Sequence, residues 1–341
     1  MAAGYDTTTL LGVKEILPRF TPLFIQMFFP SVVTFGTEEV AFDKIKKDRR
    51  LAPFVAPMVA GRARKEQGGF LTTLKPAYVK PTDVVKPTRL IKRRPGEPLN
   101  TELSAEDRHD AVIADILDEQ EQSIVAREEW MAVQGVLFGK VVIEGDDYPT
   151  QEVDYGRSSA NQVVLAGAAK WDTVDPDTYD PTDDIEDWAA AANGSPSIII
   201  MDKLAWRLFS RMKAVKEKLE SRRGSTSQLE LAAQTERDVQ RKGFYGEYEI
   251  LVYNGAYTDA DGNKVNYMPA NTVLLAPTTT DNVMAYGGIQ DAKANANGIA
   301  EATRYPSNWF TDNPSVEWLQ TQAAPLPVLF DADEFVSVKV A

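Results

Sequence analysis

At 341 residues the chain is long enough for one large domain or two ordinary ones, and an apolar content of 43% excludes a disordered reading. It has no Cys and a single His, which removes disulfides, thiol nucleophiles, the commonest metal ligands and the usual general base together. A formal charge of −13 repels nucleic acid over most of the surface; it argues against a DNA-binding role and suits a container that does not stick to DNA inside it.

No apolar run approaches the about 18 residues of a membrane span, and the first residues lack the basic and apolar regions of a secretory signal. Residues 1–50 read as an arm. Residues 20–30 are strongly apolar between prolines. They fit an ordinary buried segment or an arm that buries its apolar face on a neighbour, with Phe24 and Phe28 as candidate contacts. Residues 51–98 form a longer Pro-punctuated arm. Pro53, Pro57, Pro76, Pro81 and Pro87 are spaced so that no helix can form. Two extended stretches, 51–61 and 69–81, flank a basic tip at 62–69, where Gly68-Gly69 supplies the φ freedom of a hairpin turn. Such a hairpin is marginal alone in water and needs a surface to lie on, which points to another copy of the chain. Arg62, Arg64 and Lys65 are the candidate contacts at the tip.

Residues 86–94 carry Lys86, Arg89, Lys92, Arg93 and Arg94. A solvated strand edge is the ordinary reading of such a run. No aromatic residues are interleaved to support nucleic-acid stacking. The following segment, 103–138, predicts a long helix rich in Asp and Glu, so basic arm and acidic helix can attract each other within or between subunits. Lys92, Arg93 and Arg94 would face Asp115, Asp118 and Glu119. Ser104 caps this helix with Asp107 in the first turn, Ile116/Leu117, Ile124, Trp130/Met131 and Leu137/Phe138 form one narrow stripe, and Gly139 stops it. At about 50 Å it reads as a strut along a flat subunit rather than a coiled coil.

Residues 140–154 read as a hairpin and 156–177 as loop. A helix follows from Asp180-Pro181 to Ala192, then a buried strand at 197–201. Asp202 caps a second helix running to Gly224, and Ser225 with Gln228 opens a third that closes at Gly243. Residues 247–253 form a strand, Asn254-Gly255 and Asp261-Gly262 are turns, and 264–268 and 272–276 continue the sheet. Residues 323–341 are extended and apolar and end in a strand that returns to the sheet.

Catalytic patterns are missing. There is no phosphate loop, no G-x-G-x-x-G and no nucleophile elbow. His109 lies among charged residues and reads as solvated. Asp175, Asp177, Asp180, Asp183, Asp184 and Glu186 lack the spacing of a calcium loop, and helix capping accounts for Asp180 and Asp183. Glu217 and Glu220 sit on an ordinary charged helix face. No catalytic residue, cofactor or metal is expected.

Several stretches stand out in order along nearly the whole chain: Pro22-Leu23-Phe24, Ala77-Tyr78-Val79-Lys80-Pro81, the run from Thr178 through Asp180-Pro181 to Glu186, and Lys213-Ala214-Val215-Lys216 with Arg222-Arg223-Gly224-Ser225. Gly288-Ile289-Gln290-Asp291-Ala292, Arg304-Tyr305-Pro306 with Asn308-Trp309, and Asp331 to Val338 complete the set. On these stretches the chain resembles the phage lambda-like major capsid protein family. The resemblance implies an α+β subunit of the Hong Kong 97-type capsid fold. Its parts would be an N-terminal arm (1–50), an extended β-hairpin loop with a leading strand (51–98), a peripheral domain with the spine helix (99–177), an α/β axial domain (178–322) and a strand returning to the peripheral domain (323–341). It further implies hexamers and pentamers of a shell enclosing double-stranded DNA without sequence-specific binding, a separate scaffolding protein, a portal and a decoration protein. Assembly would occur in the host bacterial cytoplasm and the product would be a virion, with no membrane involved. A shell subunit of a non-viral, encapsulin-like nanocompartment would share the fold. An α/β hydrolase or transferase would need a convergent polar site that these residues do not furnish.

Overall fold

The computed structural model describes residues 22–37, 39–45, 69–88, 104–145, 148–220, 238–313 and 315–341. Its axis is the helix Ala105–Phe138, with the expected ends. The Ser104 hydroxyl accepts the Asp107 N–H at 3.0 Å, and Gly139, at φ 66°, donates its N–H to the Gly135 carbonyl. Its 34 residues span about 51 Å. The buried stripe is wider than expected and takes in Val112, Ile113, Val125, Val133 and Val136. Phe138, expected in the stripe, is 40% exposed, and Trp130 is half-buried under the Arg127 guanidinium.

A seven-stranded mixed sheet lies beside the helix's C-terminal half. Its spatial order is Gln162–Val164, Val336–Lys339, Thr272–Ala276, Ile198–Met201, Tyr248–Tyr253, Val239–Tyr245 and Leu219–Glu220. Ile198–Met201 runs parallel to Tyr248–Tyr253 and antiparallel to Thr272–Ala276. Side chains alternate between two cores, as the period of a strand requires. Ile198, Ile200, Leu251, Tyr253, Leu274 and Ala276 face the core shared with the long helix. Ile199, Met201, Ile250, Val273, Leu275, Val336 and Val338 face Trp171, Trp188 and Phe209. The helix Thr182–Ala191 adds Ile185 and Trp188 to this second core, and Lys203–Phe209 adds Ala205 and Phe209. The Asp202 carboxylate caps the latter helix through Leu204 N–H and Ala205 N–H, and also accepts Thr272 N–H at 3.1 Å, tying helix to sheet.

A three-stranded antiparallel sheet, Tyr305–Asp312, Ser315–Gln322 and Thr82–Val85, lies on the helix's N-terminal half. There Val85 and Leu319 meet Val112, Ile113, Ile116 and Leu117 in a small separate cluster. A further sheet joins Ser31–Thr34, Val283–Tyr286 and Pro325–Val328. Lys140–Gly145 and Tyr148–Asp154 form the expected hairpin.

Several expectations give way. The second helix breaks after Phe209 and resumes as Lys213–Lys218, where Lys213 N–H is drawn to the Pro176 carbonyl. Leu219–Glu220 is already a strand, and Val239–Tyr245, expected as helix as far as Gly243, is a strand bulged between Arg241 and Gly243. Pairing with Tyr248–Tyr253 outweighs local helix preference there. Residues 221–237 lie outside the described part. Lys264–Asn266 pairs with Ala256–Thr258 in a separate ribbon instead of extending the main sheet. Gln162–Val164, within the expected loop, adds an edge strand beside Val336–Lys339. Strands 305–312 and 315–322 lie on the long helix, and Val336–Lys339 sits in the sheet of residues 198–276.

Candidate assembly surfaces

Residues 22–29 are anchored in the subunit's interior. The helix Leu23–Phe28 is seated by Glu129 of the long helix, whose carboxylate is wholly buried. It accepts Phe24 N–H at 3.0 Å, Ile25 N–H at 3.1 Å and the Tyr253 hydroxyl at 2.8 Å. A short helix has unsatisfied N–H groups at its start, and a carboxylate there satisfies two of them while favouring the positive end of the helix dipole. Burial and the facing Glu129 charge push the Tyr253 phenol far above its ordinary range, so it remains a donor. Phe24 and Phe28 meet edge-on at 5.5 Å, and Phe28 meets Phe335 at 5.2 Å. Thr280 donates to the Phe28 carbonyl. Phe24 and Phe28 therefore belong to the subunit's own core, correcting their assignment to a neighbour: with 0% exposure they have no surface left to offer. The flanking prolines, Pro22 and Pro30, concealed a buried helical turn.

Beyond this anchor the chain runs outward. Ser31–Thr34 pairs in parallel with Val283–Tyr286 as an exposed edge strand. Val40–Ile45 then pairs antiparallel with Gly69–Leu74, from Val40 opposite Leu74 to Ile45 opposite Gly69. Among the described residues the partner of 69–74 is thus 40–45, and Gly69 ends that ladder opposite Ile45. Among the described residues this ribbon joins no other sheet. Residues 51–61 and the tip residues Arg62, Arg64 and Lys65 lie outside the described part.

The long helix carries three buried polar contacts that hold other elements in register. Gln120 donates to Asp83 (2.8 Å) and the Leu319 carbonyl (2.9 Å) and accepts from Thr321 (2.7 Å). Arg304 makes a two-pronged contact with Glu128 (2.7 and 2.9 Å) and reaches Glu121 at 3.1 Å, its guanidinium lying over Tyr286. Burial alone would lower the Arg304 pKa, but the Glu128 charge outweighs it and the group stays cationic. Glu129 is the third. At the helix's far end Arg157 donates to the Val136, Leu137 and Ala332 carbonyls, capping the last turn. Burial lowers its pKa to about 10 against the opposing pull of Asp333, leaving it charged at neutral pH.

Of the acidic residues proposed to meet the basic arm, Asp115 and Asp118 are half-buried and Glu119 is exposed; Gln122 donates to Asp118 at 2.6 Å. Lys92, Arg93 and Arg94 lie outside the described residues. Helix acids instead find a described cation in Arg304. Sequence reading missed it, although it heads the Arg304-Tyr305-Pro306 motif. His109, expected in solvent, sits 2.8 Å from Glu317, which also accepts from Asn308. In the acidic cluster, Asp175 caps its own turn through Asp177 N–H and Thr178, and Asp180 binds Lys218 and Thr182. Among the described residues no group of His, Asp or Glu is placed to hold a metal ion, and no helix is long and apolar enough to cross a membrane. Every buried charge named above serves to join elements, and none faces a cleft as an acid–base pair.

Two exposed aromatic groups share one strand edge. The edge strand Tyr305–Asp312 presents Trp309 (37% exposed, stacked on Trp318) and Phe310 (49%). An unpaired edge with aromatic side chains is a surface for association.

The family model for phage major capsid protein E matches residues 6–340. Over 99% of both chains, this one is 42% identical to the major capsid protein of Escherichia phage lambda and 42% identical to that of Escherichia phage N15. The crystal structure of a putative prophage capsid protein from E. coli CFT073 superposes with a TM-score of 0.82 at 32% identity, covering all of both chains. The capsid of an empty GTA particle shares the fold at a TM-score of 0.52 and 12% identity, covering 99% of this chain and all of the other. The architecture is the Hong Kong 97-type capsid fold, and the chain belongs to the phage major capsid protein E family, a family of structural proteins.

Proposed function

We propose that this chain is the subunit that closes into the icosahedral head shell of a tailed, double-stranded DNA phage, in hexamers and pentamers. The supporting observation is similarity along the full length to named major capsid proteins. In this reading the ribbon of residues 40–45 and 69–74 carries the extended loop toward a neighbouring subunit. The acidic side of the long helix at Asp115, Asp118 and Glu119 receives the basic stretch with Lys92, Arg93 and Arg94. A separate scaffolding protein, a portal and a decoration protein complete the head, which is assembled in the host bacterial cytoplasm and ends in the virion. The chain serves as arm, extended loop, peripheral domain, axial domain and returning strand.

The test is to express the chain with its scaffold, purify particles, and measure size and DNA content. Closed shells that hold phage DNA are expected. Only monomer by light scattering at micromolar concentration would overturn the proposal, and shells loaded with protein cargo instead of DNA would favour a nanocompartment. Deleting residues 62–67 should abolish shells while leaving a cooperative melt; a lost melt would place the tip in the subunit's own fold.

A further inference from the structure

A groove on the second core's outer side stands apart from the rest of this acidic molecule. It is an open depression of about 560 Å³ lined by Lys203, Trp206 and Arg207 from one helix and by Gln240 and Lys242 from the adjoining strand, with Asn254 and Asn266 along its margin. Lys203 and Arg207 stand four residues apart on Lys203–Phe209 and so share a face about 6 Å along the axis. Gln240 and Lys242 stand two apart on Val239–Tyr245. Lys242 donates to Gln240 at 2.7 Å and lies 5.6 Å from the Trp206 ring centre. Among the described residues, no carboxylate lies within 4.0 Å of the Lys203, Arg207 or Lys242 nitrogens. Among the described residues, three cations without a carboxylate partner thus converge here on a chain of net charge −13.

Such a groove attracts a polyanion. Its polar margin is rich in side-chain amides, which donate to anionic oxygens as the cations do. Its apolar lining is confined to Trp206 and Val252, too little for the apolar anchors by which a folded protein segment binds. Discrete cations with amide donors, and no deep pocket for a base, match the sequence-independent recognition of a phosphodiester backbone. We propose that this groove is a docking point for the phosphate backbone of duplex DNA. The acidic remainder of the surface keeps that contact local and weak. The choice of DNA as the polyanion rests on the shell reading above; the cationic groove itself does not.

The test titrates the full-length subunit with a fluorescent duplex of about 20 base pairs across a salt series, with polyglutamate as a second probe. Variants are K203Q/R207Q/K242Q, the corresponding triple reversal to Glu, and a control K80Q/K140Q/K293Q that removes the same charge elsewhere. Thermal melts check folding, and the neutral triple variant serves if the reversal fails to fold. The groove variant is expected to bind duplex about tenfold or more weakly, with the slope of log K against log salt shallower by about 3. The control should bind nearly as the native chain does. Equal losses in groove variant and control would mean net charge alone, and would overturn the site. So would duplex binding unchanged in the groove variant, including the case in which polyglutamate binding is lost instead. Shell formation by the same variants is scored separately: shells with no groove effect sink this inference alone, and an absence of shells from the native chain sinks the function proposal alone.

Discussion

Residues 124–138 of the long helix and residues 105–120 of the same helix sit in different surroundings. The first set sends Ile124, Met131, Ala132, Val133, Val136 and Leu137 into the interior, most of them into the large core with Phe28, Leu274 and Phe335. Among the described residues the second set packs Val85 and Leu319 against four apolar side chains, and leaves Glu106, Asp107 and Asp110 exposed. Where apolar contact is thin, directional bonds take over: Gln120 and His109 fix the three-stranded sheet by hydrogen bonds to Leu319, Thr321 and Glu317. One continuous helix is thus core at one end and strut at the other. Burial holds the first end in place with little regard for direction, and hydrogen bonds hold the second in register.

The largest expected effect comes from the ionic contact that Arg304 makes with the middle of the helix. Arg304→Met leaves Glu128 buried without a counter-charge, and removing one member of such a pair costs about 3–5 kcal/mol. Adding Glu128→Met should recover most of the loss, because Glu128 is the more deeply buried of the two carboxylates on Arg304, whereas Glu121 keeps some contact with water. Urea melts of the single and double variants decide this. A single-variant loss below about 1 kcal/mol would mean that water reaches the pair, and the two halves would then be less distinct than the burial implies.

Cavity formation comes next. Leu137→Ala, in the large core, should cost about 2–5 kcal/mol. Leu117→Ala, in the small cluster, should fall at or below the lower end of that range, because a thin cluster at the surface collapses around a deleted group more readily. Equal losses would contradict the contrast between core and strut.

The helix ends sharpen it further. Gly139→Ala places a Cβ 2.5 Å from the Arg157 Cβ at a φ of 66°, so it strains the backbone and displaces the cap together. A cost of about 1–3 kcal/mol is expected. Ser104→Ala, at the exposed end, removes one capping bond and should cost about 1 kcal/mol. If the order were reversed, the strut end would be the better anchored of the two.

Much of this architecture was legible in the chain because it is written locally. Ser104 and Gly139 bound the long helix, the short continuous apolar runs at 198–201 and 250–253 mark buried central strands, and Asp202 announces the helix after it. What escaped was set by distant partners. Val239–Tyr245 is a strand because Tyr248–Tyr253 lies beside it, and Phe24 is interior because Glu129, 105 residues away, receives its N–H. Arg304 carries no local sign that it will meet Glu128. The assembly residues were the least legible, since attraction between a basic stretch and an acidic helix specifies no geometry. Arg304 answers Glu121 and Glu128 within the subunit, a pairing charge counting alone could not choose.

The smallest effect belongs to an exposed pair, which serves as the baseline for the buried one at Arg304. Asp180 accepts from Lys218 at 2.7 Å and from the Thr182 N–H and hydroxyl, with both charged side chains nearly half exposed. The Lys218 bond first, then the Thr182 bonds, hold its pKa down at about 2, against an ordinary 3.8. A carboxylate whose folded pKa is depressed adds stability that is fully present above its unfolded value and is lost as pH falls through its folded value. Asp180→Asn should therefore lower Tm slightly near neutral pH, and the gap to the native chain should close between about pH 4 and pH 2. Solvent screening keeps the gap small, and added salt should shrink it further. Arg304→Met, by contrast, should change little with salt, because its partners are out of water. A gap at Asp180 that stayed constant down to acid pH would assign its role to the neutral hydrogen bonds with Thr182, and the exposed pair would contribute nothing through its charge.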